Sequence, residues 1–163
     1  MENSTNNYQK RGFFTLVLCI IIPLCVGWLT SFFTKNAQVA FIRMAKPPLA
    51  PPAWLFPIVW TVLYILMGIA FYLIYISDAR YRNLAITIFV VQLIFNFLWN
   101  IIFFRNGTYW FAAVWLFVLW LMILVLVLLC ESVSRAAMFL LVPYLLWSTF
   151  ALYLNVGIAV LNK

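Results

Sequence analysis

Five long apolar stretches without a single Asp, Glu, Lys or Arg constrain this chain more than any other feature. Each is long enough to cross a bilayer core of about 30 Å as a helix, which takes about 20 residues. They are continuously apolar rather than alternating, which favours helices over the strands of a membrane barrel. Because the connections between the last four are short, their helices should be antiparallel neighbours. The predicted fold is an all-α membrane protein, a five-transmembrane-helix bundle. The predicted spans are Phe13–Phe33, Trp54–Ile76, Leu84–Phe104, Tyr109–Cys130 and Ala136–Leu161.

Composition excludes several classes of protein. The chain is 68% hydrophobic and 8% charged, whereas soluble proteins are roughly half apolar and about a quarter charged. It has no histidine and only three acidic residues, Glu2, Asp78 and Glu131. This excludes a histidine-based triad, a histidine-ligated metal or haem, and a pair of facing carboxylates. We therefore predict no bound cofactor and no metal site.

The ten Lys and Arg residues are scattered through the connections. They form no stripe of the kind that nucleic acid requires, so we predict no nucleic-acid partner and assign them to lipid headgroups of the bilayer. With the N-terminus inside, five cations fall on each side of the membrane, and the positive-inside rule gives no orientation. The three cysteines lie in apolar stretches and are interpreted as small hydrophobic residues.

The N-terminal residues 1–12 are polar and are predicted to be disordered, and residues 13–163 are predicted to form the membrane domain. The first span is longer than the apolar core of a signal peptide, and no small-x-small cleavage site follows it. We expect it to stay in the mature protein.

The connection from Thr34 to Ala53 is longer than the others and only partly polar. Long loops in compact structures are usually functional or disordered. Four prolines within residues 47–52 stiffen this one and predict a helix start just beyond them. We expect an ordered lid resting on one end of the bundle; a plain linker is the alternative.

Polar residues and aromatic rings share one helical face in three of the spans. Amides and small residues of this kind can simply hold helices together. Three such faces together favour an apolar pocket with a few placed polar groups, in which rings could stack on a planar ligand. The faces comprise Trp60, Tyr64, Met67 and Gly68; Gln92, Asn96, Trp99, Asn100 and Phe103; and Trp147, Ala151, Leu154 and Asn155.

Three motifs, in order along the chain, resemble the TspO/MBR family of tryptophan-rich sensory proteins and translocator proteins (peripheral benzodiazepine receptors). The first is Lys46-Pro47-x-x-x-Pro51-Pro52 followed by Trp54, Phe56, Trp60, Leu63-Tyr64 and Met67-Gly68-x-Ala70. The second is Gln92-Leu93-x-x-Asn96-x-x-Trp99 through Phe103-Phe104. The third is Pro143-Tyr144-Leu145-Leu146-Trp147 with Phe150-Ala151 and Leu154-Asn155.

The resemblance implies a five-helix bundle, commonly a homodimer, with a pocket between helices that the first loop caps. It implies a multi-pass protein, here of a bacterial cell membrane, that binds porphyrin or haem-type tetrapyrroles and benzodiazepine- or isoquinoline-type hydrophobic ligands as a sensor or transporter. Carried over by position, the ligand-binding residues are Phe56, Pro57, Trp60, Tyr64, Asn96, Trp99, Phe103, Trp147, Ala151 and Leu154. Small residues that could permit close packing in a dimer are Gly27 and Ala112-Ala113.

An enzymatic role is the alternative to binding. Some bacterial members of the family are reported to degrade porphyrins oxidatively in light, and the tryptophans implicated there correspond to Trp60 and Trp147. These two would be catalytic only if that activity applies. A drug/proton antiporter is disfavoured, because no span contains the carboxylate that proton coupling needs.

The chain departs from the family pattern at several positions. Leu49 replaces the tryptophan of the loop, which removes one ring from the expected lid, and Asn100-Ile101 replaces a Pro-Pro pair of the animal members. In the fourth span, either Trp110 or Phe111 could match a pocket tryptophan. The segment Leu154-Asn155-Val156-Gly157 lacks the tyrosine and nearby cation of the animal sterol motif, so we predict no specific sterol site.

Overall fold

Helices account for almost all of the backbone. The computed structural model describes residues 2–162, with side chains apart from those of residues 2–11 and 38. No strand occurs in this range. A π-helical turn, Ile101–Arg105, extends α4 without a break. The α-helices are α1 (Glu2–Phe33), α2 (Ala37–Arg43), α3 (Leu55–Tyr75), α4 (Arg82–Asn100), α5 (Tyr109–Val133) and α6 (Arg135–Leu161).

Five of these helices are long and apolar enough to cross a membrane, which confirms the predicted five-helix bundle. The spans agree with the predicted ones to within a few residues. The remaining helix, α2, is short and lies in the connection between the first two spans. The spans are Gly12–Phe33, Leu55–Tyr75, Arg82–Arg105, Tyr109–Val133 and Arg135–Leu161.

The N-terminal segment differs from the sequence prediction. Helix α1 begins at Glu2, whereas residues 1–12 were expected to be disordered. Once the apolar part of α1 is helical, each further residue adds a hydrogen bond without a new nucleation cost. The backbone therefore shows no break at the expected domain boundary, and Met1 lies outside the described residues.

The five spanning helices form a closed ring in the order α1, α3, α6, α5, α4. Each neighbouring pair is antiparallel except α4 and α1, which close the ring in parallel. Helices α1 and α3 approach closely at Gly68, where a Cβ atom would collide with the backbone of Ile20. Only glycine permits this approach, because its lack of a side chain lets the two backbones touch.

The small residues considered for a dimer interface are used within this chain. A Cβ atom on Gly27 would lie 2.5 Å from the ring of Tyr64. Ala112 and Ala113 are buried inside the bundle. The homodimer stays a prediction, and its contact surface has to come from other residues.

The two ends of the bundle differ in construction. One end, here called the loop end, consists of residues 34–54, the π turn with residues 106–108, and Asn162. The opposite end has only the connection from residue 76 to residue 81 and a tight turn at Ser134. Ser134 accepts a hydrogen bond from the Ala137 amide as the N-cap of α6.

Candidate ligand-binding site

The connection between α1 and α3 folds back over the loop end. Helix α2 places Phe41 inward, where only 4% of the residue is exposed. Its ring packs edge-on against Phe56, with 4.8 Å between the centroids. The predicted ordered segment is thus present, and Phe41 is the side chain that inserts into the bundle.

The second half of this connection is attached to α6. The Ala45 amide donates to Asn162 Oδ1 at 3.0 Å, and Asn162 Nδ2 donates to the Ala45 carbonyl at 2.8 Å. Tyr153 Oη donates to the carbonyl of Pro48 at 2.8 Å. Pro47 lies so close to Gly157 that a Cβ there would be 2.6 Å from the proline ring. We call residues 45–53 the anchored segment and residues 34–44 the cover segment.

Leu49 stands at the tip of the anchored segment. It adopts a positive φ of 66°, which is uncommon for any residue with a side chain. It is 83% exposed, so its side chain points away from the bundle. With this backbone, a tryptophan in place of Leu49 would also point away from the bundle. Its replacement by leucine therefore removes no ring from the interior.

Beneath the cover segment lies a cavity of about 220 Å³ between α1, α2, α3 and α4. Most of its wall is apolar, and six aromatic rings contribute to it: Phe41, Phe56, Trp60, Tyr64, Trp99 and Phe104. The polar members of the wall are Thr30, Ser31, Thr34, Lys35, Tyr64 and Asn100, and the rest is formed by Gly27, Ala37, Ala53 and Pro57. An apolar cavity with a few polar groups is the usual form of a small-molecule site.

A chain of hydrogen bonds leads from the cavity into the core. Tyr64 Oη donates to Asn96 Oδ1 at 2.9 Å, and Asn96 Nδ2 donates to Tyr144 Oη at 3.2 Å. Tyr144 Oη in turn donates to Gln92 Oε1 at 2.9 Å. All four residues are buried. Because the Tyr64 hydroxyl donates its proton to Asn96, any further hydrogen bond to its oxygen is one that the oxygen accepts.

A second set of hydrogen bonds joins three helices near the loop end. Trp99 Nε1 donates to Asn155 Oδ1 at 3.0 Å, and Asn155 Nδ2 donates to the Tyr109 carbonyl at 2.9 Å. Asn155 thus ties α6 to α4 and α5, and it holds the Trp99 indole at the cavity wall. We refer to this set together with the Tyr64–Gln92 chain as the amide network; its members are Tyr64, Gln92, Asn96, Trp99, Tyr144 and Asn155.

The π turn decides which phenylalanine faces the cavity. An α-helix would bring Phe103 onto the face of Trp99, four residues earlier. The wider turn, closed by the Asn106 amide on the Ile101 carbonyl at 3.1 Å, lets Phe104 reach that face instead. Phe103 is buried against Trp99 and Tyr109, with ring centroids 5.6 and 5.3 Å away.

The residues proposed from α6 lie outside the cavity. Trp147 lines a groove on the outer surface between α3 and α6. Its ring is 5.9 Å from that of Phe56, which separates it from the cavity. Trp147 Nε1 is buried and has no hydrogen-bond partner among the residues described. Ala151 and Leu154 are buried in the bundle.

The structure thus brings half of the predicted site residues together on one cavity: Phe56, Pro57, Trp60, Tyr64 and Trp99. Asn96 and Phe103 lie behind its wall, Trp147 lies beyond Phe56, and Ala151 and Leu154 are buried without lining the cavity. The sequence interpretation missed the contribution of α1, from Gly27 to Lys35, because that segment shows no stripe of amides. A cluster of small and hydroxyl residues at the end of an otherwise bulky span, Gly27, Thr30, Ser31 and Thr34, was the available signal.

The chemistry open to the cavity is limited. Its wall contains no carboxylate, and the described residues contain no group of three or more His, Cys, Asp or Glu that could hold a metal. The arrangement can bind by ring contact and hydrogen bonds. Any reaction would have to use the aromatic side chains themselves.

Comparison with known proteins agrees with the bundle and the motifs. The model of the TspO/MBR family matches residues 19–161. The tryptophan-rich protein TspO of Chlorobaculum tepidum is 40% identical, over 94% of this chain and 99% of that protein. The protein of the same name from Archaeoglobus fulgidus is 35% identical, over 90% and 96% of the two chains. The translocator protein of Bos taurus is 30% identical, over 83% of this chain and 82% of that protein.

Proposed function

Because the chain belongs to the TspO/MBR family and is a multi-pass membrane protein, we propose that it binds flat hydrophobic ligands in the cavity beneath the cover segment. The ligand classes are porphyrin or haem-type tetrapyrroles and benzodiazepine- or isoquinoline-type molecules, and the role is that of a sensor or transporter. The observation that carries this proposal is the cavity of about 220 Å³ with six aromatic rings in its wall. Rings of this kind bind a planar ligand by stacking and edge contacts.

The size of the cavity implies that the cover segment moves. Pockets for drug-sized ligands are typically about 300–1,000 Å³, and this cavity is smaller. The side chains that can yield are those of Phe41 and Phe56, since Phe41 belongs to a short helix and inserts from above. Lids are drawn from the less stable parts of a structure.

Displacement of Phe56 would join the cavity to Trp147. The indole N–H of Trp147 is buried without a partner among the described residues, and an unpaired buried donor costs about 1–3 kcal/mol. A ligand with an acceptor atom would remove that cost. We therefore keep Trp147, together with Ala151 and Leu154, as contacts of the ligand-bound form.

Titration of the purified protein in a neutral detergent tests the proposal. Protoporphyrin IX and an isoquinoline carboxamide should each quench tryptophan fluorescence in a saturable manner. Ala37→Phe places a ring in the cavity and should weaken both ligands at least about tenfold, the loss expected when about 1.4 kcal/mol is removed. Val39→Phe is the matched control, because Val39 belongs to the same helix but is 49% exposed and does not line the cavity.

Absence of saturable binding to the wild-type protein would exclude the function. Equal affinities of Ala37→Phe and wild type would place the ligand elsewhere, and the outer groove along α3 and α6 would be the next site to test.

Light-dependent oxidation of a bound porphyrin, with dioxygen as the oxidant, is the second candidate function. Trp60 lies on the cavity wall with Tyr64 and Tyr144 beside it, their ring centroids 5.5 and 6.2 Å away, so oxidisable rings adjoin any ligand there. Illumination of the porphyrin complex should then bleach the porphyrin absorbance, and Trp147→Phe should slow the bleaching. If the porphyrin absorbance decays equally with and without protein, the enzymatic function is excluded and binding is the function that remains.

A further inference from the structure

One charged side chain, that of Lys35, lines the cavity, and it lies on the part of the wall that belongs to the loop end. Lys35 lies two residues beyond the end of α1, and its Nζ atom is 4.4 Å from the centroid of the Phe32 ring. This contact keeps the ammonium group near the end of α1, because cations are attracted to ring faces. The residue itself is exposed, so the group is available to a ligand.

The whole loop end has one sign of charge among the described residues. Lys35, Arg43, Lys46 and Arg105 lie there without any acidic residue. Asp78 and Glu131 lie at the opposite end, and Glu2 begins α1 on that same side. Among residues 2–162, therefore, no Asp or Glu lies at the same end of the bundle as Lys35.

Lys35 also differs from the other cations of the loop end. Lys46 donates to the Phe41 and Ile42 carbonyls and so completes the end of α2. Arg43 and Arg105 are exposed and do not line the cavity. Of these four cations, only Lys35 lines the cavity, and its ammonium group, unlike that of Lys46, does not donate to the carbonyls of α2.

We propose that Lys35 selects acid-bearing ligands: it binds a carboxylate on the rim of a planar ligand whose rings occupy the cavity. The inference rests on the proposed function, because it concerns the same cavity. The other cations of the loop end raise the local concentration of such anions without touching them, since a face of one charge sign steers ligands of the opposite sign. The ligand is oriented with its acid edge at the membrane surface and its apolar edge toward Tyr64.

A pair of matched ligands tests the proposal. Protoporphyrin IX carries two carboxylates, and its dimethyl ester has the same ring system without the charges. The ratio of their dissociation constants is measured for wild type, Lys35→Gln and Lys35→Glu in a neutral detergent. Comparing ratios between proteins cancels the different partitioning of acid and ester into the micelle.

The expected result is a preference for the acid in the wild-type protein that falls about threefold in Lys35→Gln, within the range for an exposed ion pair. Lys35→Glu should reverse the preference. Arg105→Gln is the control, since it removes a charge from the same end without changing the cavity wall; its ratio should fall less than that of Lys35→Gln, because Arg105 acts only through the field of the loop end.

Three outcomes would overturn the proposal. The first is an unchanged ratio in both Lys35 variants while both ligands still bind, which leaves the proposed function intact. The second is a loss of phosphatidylglycerol binding by Lys35→Gln with an unchanged acid-to-ester ratio, which would assign the lysine to lipid headgroups. The third is failure of both ligands to bind the wild-type protein, which removes the proposed function as well.

Discussion

The interior of the bundle holds polar side chains in two regions that differ in their partners. In the amide network, every oxygen acceptor named above receives a hydrogen bond from a neighbouring helix, as Asn96 does from Tyr64. Around the cavity, the hydroxyls of Ser31 and Thr34 bond only to carbonyls of their own helix, at 3.1 and 2.7 Å. The first arrangement joins helices, and the second leaves these hydroxyls without a bond to another helix.

The difference separates two roles that look alike in the sequence. A buried amide that bonds to other helices, as those of Asn96 and Asn155 do, contributes to the free energy of folding, and its loss leaves partners unsatisfied. A side chain beside empty space contributes to ligand affinity. Changes in the amide network should therefore lower stability, whereas changes at the cavity should lower affinity.

Asn96→Leu should have the largest effect, which is a loss of stability. An unchanged stability would contradict the structural role of the amide network. The change leaves Tyr64 without an acceptor and removes the donor to Tyr144. We expect the free energy of unfolding to fall by about 2 kcal/mol, since each unsatisfied buried group costs about 1–3 kcal/mol. Unfolding by SDS in mixed micelles, followed by tryptophan fluorescence, measures it.

Asn83→Leu is the control for this experiment. Asn83 is exposed at the start of α4, and only its backbone carbonyl is used, by Thr87. A surface change of this kind should alter stability by less than about 0.5 kcal/mol. If both variants unfold alike, the Asn96 hydrogen bonds contribute nothing measurable to the bundle.

Asn155→Leu should have a smaller effect in the same direction. It removes the bonds to Trp99 and Tyr109, and interhelical hydrogen bonds in bilayers average about 0.6 kcal/mol each. We expect a loss of about 1 kcal/mol in stability, with ligand affinity per folded molecule changed by less than about twofold. Unfolding and fluorescence titration on the same preparation give both numbers.

An asparagine-to-leucine change on the cavity wall should have the opposite effect. Asn100 lines the cavity, and its Nδ2 donates only to the Asn96 carbonyl of its own helix. Asn100→Leu should therefore lower affinity more than stability, the reverse of Asn155→Leu. An Asn155→Leu protein that unfolds like wild type but no longer binds would assign Asn155 to the ligand.

Trp60→Phe should lower affinity by about 1 kcal/mol, or about fivefold, with the fold intact. The smaller ring gives up contact area and the indole N–H, and aromatic contacts are worth roughly this much. Trp110→Phe is the matched control, because Trp110 is 56% exposed on the outer face of α5. Equal affinities of the two variants would remove Trp60 from the binding site.

The smallest effect concerns the cover segment. Hydrogen exchange from Val39 to Ala45 should slow when ligand binds, because the cover segment contributes to the cavity wall. At a free ligand concentration equal to the Kd, the gain is about 0.4 kcal/mol, or about twofold in rate. The connection from residue 76 to residue 81 should be unaffected. Equal exchange of the cover segment in both states would mean that it is a linker.

The sequence was sufficient for the fold because each span is marked by its length and its lack of charge. The predicted and observed spans differ only near their ends, where helix boundaries are set by caps and turns. The start of α1 is the exception, since the polar composition of residues 1–12 gave no sign that the helix continues to Glu2.

The cavity was only partly predictable, for two physical reasons. Helical periodicity places Phe103 on the face of Trp99, and no residue pattern announces the π turn that puts Phe104 there. Spacing also cannot tell a paired amide from one beside a cavity, so Asn96 was grouped with Trp99 and Asn155 with Trp147. The Gly27–Lys35 segment was missed because its contribution depends on the way α1 packs beside α3.

The contacts between the anchored segment and α6 also form late in the folding of the protein. Ala45 and Asn162 are 117 residues apart, and Tyr153 and Pro48 are 105 apart. Since the chain enters the membrane from its N-terminus, these contacts form only after α6 has inserted. Contacts so distant in sequence are slow to form, because a long loop must first close. An incompletely synthesised bundle therefore exposes an open cavity, and fixing its cover is among the last steps of folding.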